Sequence, residues 1–286
     1  MPFFKAAGIV GLGMLGGSLA LDMRRLALAE VIIGASRRRS TLAQARKWGV
    51  VDEVTTDISG LIGKVDFLIL ATPPSVVPIY LKLMARFKPD LLATDVASVK
   101  KVIMGQAEKF LRKPHFFVGS HPIAGSEQSG LKAARENLFT GRTVVVTPSA
   151  NNPPKAVNRV IDFWYALGAR TVRMTPEEHD FFLALTSHLP HLVAYALVEA
   201  TSVLKRPAPD YCLGSGFRDT TRIAKSNPSL WAEILMANRK YVLARSAVFR
   251  RRLHYLEELL RAGDTEKLTC HLQRIVQLRE RMDEKG

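Results

Sequence analysis

Three histidines, one serine and one arginine carry the chemistry that this sequence offers. His121 stands in Gly119-Ser120-His121-Pro122-Ile123-Ala124-Gly125-Ser126-Glu127, directly after an apolar run. Ser98 ends another apolar run, in Thr94-Asp95-Val96-Ala97-Ser98-Val99-Lys100. Open α/β sheets place ligands at the carboxyl ends of their strands, so both residues sit where a ligand is expected. A serine and a histidine on neighbouring strand ends can hydrogen-bond, which would fix the imidazole as a general base near neutral pH. His188 and His191 lie three apart on a predicted helix and so face similarly. A metal site there is disfavoured, because His188-Leu189-Pro190-His191 lacks the glutamate of H-E-x-x-H and any further ligand cluster.

A second constellation points to a cofactor. Gly11-Leu12-Gly13-Met14-Leu15-Gly16 matches G-x-G-x-x-G, and it follows a first apolar run and opens a helical stretch. In that context the glycines allow a tight turn, a close backbone approach to a pyrophosphate, and close helix–strand packing. The end of the second apolar run reads Gly34-Ala35-Ser36-Arg37-Arg38-Arg39-Ser40, without the acid that usually holds an NAD ribose. Ser36, Arg37 and Arg38 suit a 2′-phosphate through charge-assisted hydrogen bonds, which predicts NADP over NAD.

The elements that must position these residues divide the chain in two. Apolar runs at 7–10, 31–35, 65–71, 91–96, 116–118, 143–146 and 171–174 alternate with helical stretches. That pattern predicts an α/β domain over residues 1–174 with a doubly wound parallel sheet. Residues 175–286 show no strand signal and predict an all-helical domain. Thr175-Pro176-Glu177-Glu178 is a helix start, and Pro190 would kink the long helix that runs to about Leu204. A second long helix is expected from Asn227-Pro228 through Arg261, and a third over about Glu266–Met282.

Composition narrows the function classes. With 286 residues, 47% hydrophobic and 23% charged, the chain reads as an ordinary globular protein of about two domains. The formal net charge is +15. Residues 1–174 hold 24 basic and 12 acidic side chains, against 17 and 14 in residues 175–286. The excess thus lies in the domain predicted to hold a polyanionic cofactor. No basic arm or recognised motif supports nucleic-acid binding. Two cysteines, Cys212 and Cys270, form neither a disulfide framework nor a zinc motif and suit a reducing cytoplasm. No stretch of about 18 apolar residues predicts a membrane span.

Taken together, GLGMLGGS at 11–18, ATPP at 71–74, TDVASVK at 94–100, GSHPIAGSEQSG at 119–130, TPEEHD at 175–180, SHLPH at 187–191 and GFRDTTRIAKSNPSLW at 216–231 resemble the prephenate/arogenate dehydrogenase family of tyrosine biosynthesis. The resemblance implies a Rossmann domain, a helical domain that forms a homodimer, and an active site in the cleft between them. It implies an oxidative decarboxylation, with His121 polarising or deprotonating a 4-hydroxyl and Ser98 as its hydrogen-bond partner. Ser126, Glu127 and His191 would line the substrate site. Arg222 would bind a substrate carboxylate through its planar fork, and Asp219 would orient Arg218 or Arg222. Gly214 and Gly216 would permit close backbone approach, and Trp231 would wall the pocket. Gly11, Gly13, Met14, Leu15, Gly16, Thr72, Pro73 and Ser98 would join Ser36, Arg37 and Arg38 in holding the cofactor.

Within that family the arginine triplet resembles the NADP-using arogenate branch, whereas Glu127 and His191 look more like the prephenate branch. Prephenate or dual use is favoured. A dehydrogenase of the β-hydroxyacid type would place a lysine on its helical domain, where this chain has histidines. A non-catalytic NADP-sensing regulator is the alternative of a different class. The chain is expected to lack a C-terminal ligand-sensing domain and a fused mutase domain.

Overall fold

A computed structural model describes residues 2–203 and 212–283, so Leu204, the expected end of the first long helix, lies outside the described residues. Eight strands form a sheet: β1 (Phe4–Val10), β2 (Ala29–Ala35), β3 (Glu53–Thr55), β4 (Phe67–Leu70), β5 (Leu92–Asp95), β6 (Phe117–Pro122), β7 (Thr143–Thr147) and β8 (Arg170–Arg173). Their order is β3-β2-β1-β4-β5-β6-β7-β8. All neighbours pair in parallel except β6 and β7, which are antiparallel. The sheet is therefore mostly, not wholly, parallel. The sequence pattern missed β3, whose three residues are exposed or half-buried and carry no apolar run.

Helices cover both faces. One face packs under α1 (Met14–Arg25), α2 (Arg39–Lys47) and α6 (Pro154–Ala166). The other packs under α3 (Ile58–Lys64), α4 (Val77–Phe87) and α5 (Lys101–Phe110). This two-sided burial explains the continuous apolar runs: in β4 all four residues, Phe-Leu-Ile-Leu, are buried. The strand order reverses between β1 and β4, and the carboxyl ends at that switch point carry Gly11 and Ala71-Thr72-Pro73.

After β8 the described residues contain helices only. Thr175 caps α7 (Pro176–Leu183): its Oγ1 accepts from the Glu178 N–H at 3.1 Å, and the Glu178 side chain accepts from the Thr175 N–H at 2.8 Å. The helix then widens into one π turn over Ala184–His188 and continues as α8 (Leu189–Ala200). Pro190, expected to kink the helix, lies just beyond that turn. A ring that cannot donate a hydrogen bond is accommodated by the wider winding before it. The run Pro176–Val203 is long and apolar enough by length and composition to cross a membrane, although no such span is expected from the sequence. Its buried His179, Asp180 and His188 are held by partners elsewhere in the fold.

Next come α9 (Ser215–Thr221), α10 (Pro228–Ala237), α11 (Arg239–Ala262) and α12 (Thr265–Asp283). The single helix expected over 228–261 is interrupted at Asn238. Asn238 is 97% buried: its side chain donates to the Asp180 carbonyl at 2.7 Å and lies 3.0 Å from His188 Nδ1. The interruption thus serves the packing of α7 and the π turn. The residues form two compact units, one ending at Arg239 and one starting at Lys240. The first holds the sheet together with α7–α10. In the second, Tyr255 of α11 meets His271 of α12 edge-on, with ring centroids 4.9 Å apart.

Candidate active site

The Gly-rich turn has the shape that a dinucleotide needs. Gly11 has φ +97°, and a Cβ built on it would lie 2.2 Å from the Ala71 carbonyl oxygen. A Cβ on Gly16 would lie 1.9 Å from the Gly11 carbonyl oxygen. Both positions are therefore closed to any side chain. Gly13 is the N-cap of α1; it brings no capping side chain, and a Cβ there would meet nothing within 4 Å. Open space thus adjoins the uncapped N–H groups of α1, as a pyrophosphate requires. No acidic residue stands in the first turn of α1 to oppose the anion.

Beside this turn lies a cavity of about 240 Å³. Met14, Leu15, Thr72 and Pro73 line its cofactor side; Ser98, Ser126, Glu127 and Trp231 line the remainder. The loop after β6 closes over α1, and Ser126 Oγ meets Met14 Sδ at 3.5 Å. Helix α10 docks at the other rim, where Glu233 accepts from the Ser75 N–H at 3.1 Å. Ser36 is half-buried at the end of β2, and its Oγ accepts from the Arg38 N–H at 3.2 Å. Arg37 and Arg38 are exposed there, with no carboxylate in the segment.

His121 lies on β6 and is only 8% exposed. Its hydrogen-bond partner is His179, not Ser98: His121 Nδ1 is 2.8 Å from His179 Nε2. His179 Nδ1 in turn lies 2.7 Å from Asp180 Oδ1. The expected pairing with Ser98 is thus corrected. Sequence reasoning missed His179 and Asp180, because TPEEHD reads simply as a helix start. The adjacent His-Asp pair was the available signal. Asp180 also receives the Lys100 N–H at 2.8 Å and the Lys101 N–H at 3.0 Å, which fixes α7 to the start of α5.

Electrostatics keep His121 neutral. Burial, then the charges that would arise on His179, Lys100 and His188, push its proton affinity well below the ordinary histidine range. The fully buried Lys100 ammonium is paired with Asp95 and donates to the Ser120 carbonyl at 2.8 Å. Burial lowers its pKa, and Asp95 works against that shift. Asp95 Oδ1 accepts from the Ser120 N–H at 3.1 Å, so this ion pair ties β5 to β6 immediately before His121.

The helical side supplies the other groups. His191 stacks on Trp231 with ring centroids 3.3 Å apart, and His188 meets the same tryptophan edge-on at 6.1 Å. His191 Nδ1 lies 3.0 Å from the Ser187 carbonyl. Burial brings the His188 pKa to about 4. Arg222 forms an ion pair with Glu127, which lines the cavity. Arg222 therefore takes Glu127 as its ion-pair partner rather than Asp219. Arg218 Nε donates to the Leu213 carbonyl at 2.8 Å. Gly214 and Gly216 meet nothing within 4 Å of an added Cβ and have no positive φ, so neither is required for close approach within this chain.

The chain matches the nucleotide-binding domain of prephenate dehydrogenase over residues 19–173 and its dimerization domain over residues 175–274. It belongs to the prephenate dehydrogenase family. It is 33% identical over 278 residues to the cyclohexadienyl dehydrogenase of Zymomonas mobilis, covering 96% of this chain and 94% of that one. The crystal structure of A. aeolicus prephenate dehydrogenase, in complex with hydroxyphenyl propionate and NAD+, superposes with a TM-score of 0.90. Identity there is 34%, over 97% of this chain and 98% of that chain. Synechocystis arogenate dehydrogenase gives a TM-score of 0.79 at 33% identity, over 97% of this chain and 99% of that one. Family membership makes the chain an NAD(P)-dependent oxidoreductase with a nicotinamide cofactor.

Proposed function

We propose that the chain oxidatively decarboxylates prephenate to 4-hydroxyphenylpyruvate with NADP, in tyrosine biosynthesis. The observation that carries this reading is one cavity that starts at the uncapped end of α1 and reaches Glu127, to which Arg222 is bound. The cavity joins a dinucleotide-binding turn to the carboxylate that Arg222 holds; His121 lies buried on β6 and is not one of its lining residues.

A nicotinamide bound at this turn would supply the acceptor for the hydride of C4 of the substrate ring. Gly11, Gly13 and Gly16 would hold the pyrophosphate, and Thr72, Pro73 and Ser98 would flank the remainder. His121 takes the proton of the 4-hydroxyl, and the O–H electron pair forms the C4–O π bond as the hydride leaves; the bond from C1 to the ring carboxylate then breaks, its electron pair enters the ring, CO2 departs, and the resulting phenolate takes the proton back from His121. Arg222 holds a carboxylate in bidentate fashion, exchanging Glu127 for the substrate. His191 and Trp231, stacked together, form a flat wall for the ring and its side chain, beside Ser126.

The cofactor preference rests on Ser36, Arg37 and Arg38 at the end of β2, where a carboxylate would repel a 2′-phosphate. The same segment resembles the NADP-using arogenate branch of the family, so the reading includes arogenate as a second substrate. The protein is read as a homodimer. Leu243, Leu253 and Leu260 on α11, with Leu272 on α12, are exposed apolar residues within the region that matches a dimerization domain. Assays of both substrates with both cofactors, beside the mass of the native particle in solution, test this reading.

A further inference from the structure

Making His121 the base leaves open which of its two ring nitrogens is free. The partners decide it. An ionised carboxylate only accepts hydrogen bonds, and both oxygens of Asp180 already accept backbone N–H groups from Lys100 and Lys101. The 2.7 Å contact from His179 Nδ1 to Asp180 Oδ1 therefore places a proton on His179 Nδ1. Burial lowers the His179 pKa, so the ring is neutral and its Nε2 is an acceptor. At 2.8 Å from that nitrogen, His121 Nδ1 must be the donor. The lone pair of His121 is then on Nε2.

We propose that His179 and Asp180 are positioning residues that hold His121 in its Nδ1–H form, with Nε2 left free as the base. This role rests on the proposed function of His121 as the base. Reversing the chain would set a bare His179 Nδ1 against a carboxylate oxygen at 2.7 Å, lone pair against lone pair, inside a buried site. The direction is therefore fixed by Asp180. Asp180 is itself held from three sides: by the start of α5, by Asn238 at its carbonyl, and by the capping box one turn earlier. The groups that face His121 are His179 from α7, Lys100 after β5 and His188 from the π turn. A positive charge on any of them opposes a second proton on His121. When His121 takes the substrate proton, its Nδ1–H bond leads through His179 to the Asp180 carboxylate, which stabilises the imidazolium.

Asp180→Asn is the direct test. An amide can donate to His179 Nδ1, which turns the chain around and moves the proton of His121 to Nε2. In the Ser-His-Asp triad the same exchange costs about 10⁴ in kcat through the wrong tautomer. Here kcat is expected to fall ~10²- to 10⁴-fold, with KM and NADP affinity within a few-fold of the parent. Histidine ¹⁵N–¹H NMR of the holoenzyme, with the His121 signal assigned by its loss in His121→Asn, is expected to show Nδ1–H in the parent and Nε2–H in Asp180→Asn. Because Asp180 also anchors α5, His179→Phe is the second variant: it keeps the Asp180 carboxylate and its bonds to α5, removes the ring that links it to His121, and is expected to lower kcat. If neither variant folds, the tautomer of the parent decides. An Nε2–H form of His121 in the parent at neutral pH overturns the proposal, as does parental kcat in a folded Asp180→Asn. Parental kcat in His121→Asn would instead overturn the assignment of the base.

Discussion

His121 Nδ1 and His179 Nε2 stand 2.8 Å apart, joining the sixth strand of the sheet to the first helix that follows it. This one bond crosses from the half of the fold that holds the cofactor turn to the half that holds Arg222 and Trp231. It makes the base a property of both halves, with burial, then His179, Lys100 and His188, disfavouring its charged form.

His121→Asn is expected to lower kcat by at least ~10²-fold with little change in KM, because the lost proton transfer is used only in the transition state. Steady-state kinetics check this. The parent enzyme should also keep its kcat/KM as pH falls from 8 to about 6.5, since a base is active when unprotonated and this one binds its proton only well below the ordinary histidine value of about 6.5. An acid limb centred above that value would contradict the assignment.

Arg222→Ala is expected mainly to raise KM, by ~10- to 10²-fold, as one charge-assisted carboxylate contact is lost. Arg222→Lys should recover only part of the affinity, since an ammonium cannot form the planar fork. An unchanged KM in both variants would remove Arg222 from the substrate site.

Ser36→Ala and Arg37→Ala are expected to weaken NADP selectively, leaving NAD kinetics close to the parent. Replacing Ser36 with Asp should go further and invert the preference, because a carboxylate repels the 2′-phosphate and accepts from a free ribose hydroxyl. Equal losses for both cofactors would show that these residues act on the fold of the segment instead.

Asn238→Ala leaves the Asp180 carbonyl and His188 Nδ1 buried without their shared donor, and should cost about 1–3 kcal/mol in denaturant unfolding. His188 adds a pH dependence. Burial lowers its pKa to about 4 in the folded protein, against about 6.5 when unfolded. The unfolded state then binds the extra proton first. This contribution, up to about 3 kcal/mol, is complete above pH 6.5 and is lost as pH falls from there toward 4. Replacing His188 with a neutral side chain should flatten that slope.

Much of the fold was legible because its physics is local. A strand buried on both faces must be apolar throughout, as β4 is, and a phosphate turn must be glycine where a Cβ would strike a carbonyl, as at Gly11 and Gly16. The antiparallel pairing of β7 was not legible, because an apolar run of five residues carries no direction. Nor was the break at Asn238, whose cause is a hydrogen bond to Asp180, 58 residues away. The partner of His121 was misread for the same reason: Ser98 is close along neighbouring strand ends, but His179 reaches the ring through the packing of α7 on α5, which no spacing in the sequence encodes.

The most direct measurement is a four-way steady-state assay of purified protein, with prephenate or arogenate as substrate and NADP or NAD as cofactor. Reduced nicotinamide and CO2 should form in equal amounts, with the highest kcat/KM for prephenate with NADP. Binding of NADP without turnover of either cyclohexadiene would contradict the account and leave a cofactor-sensing protein in its place.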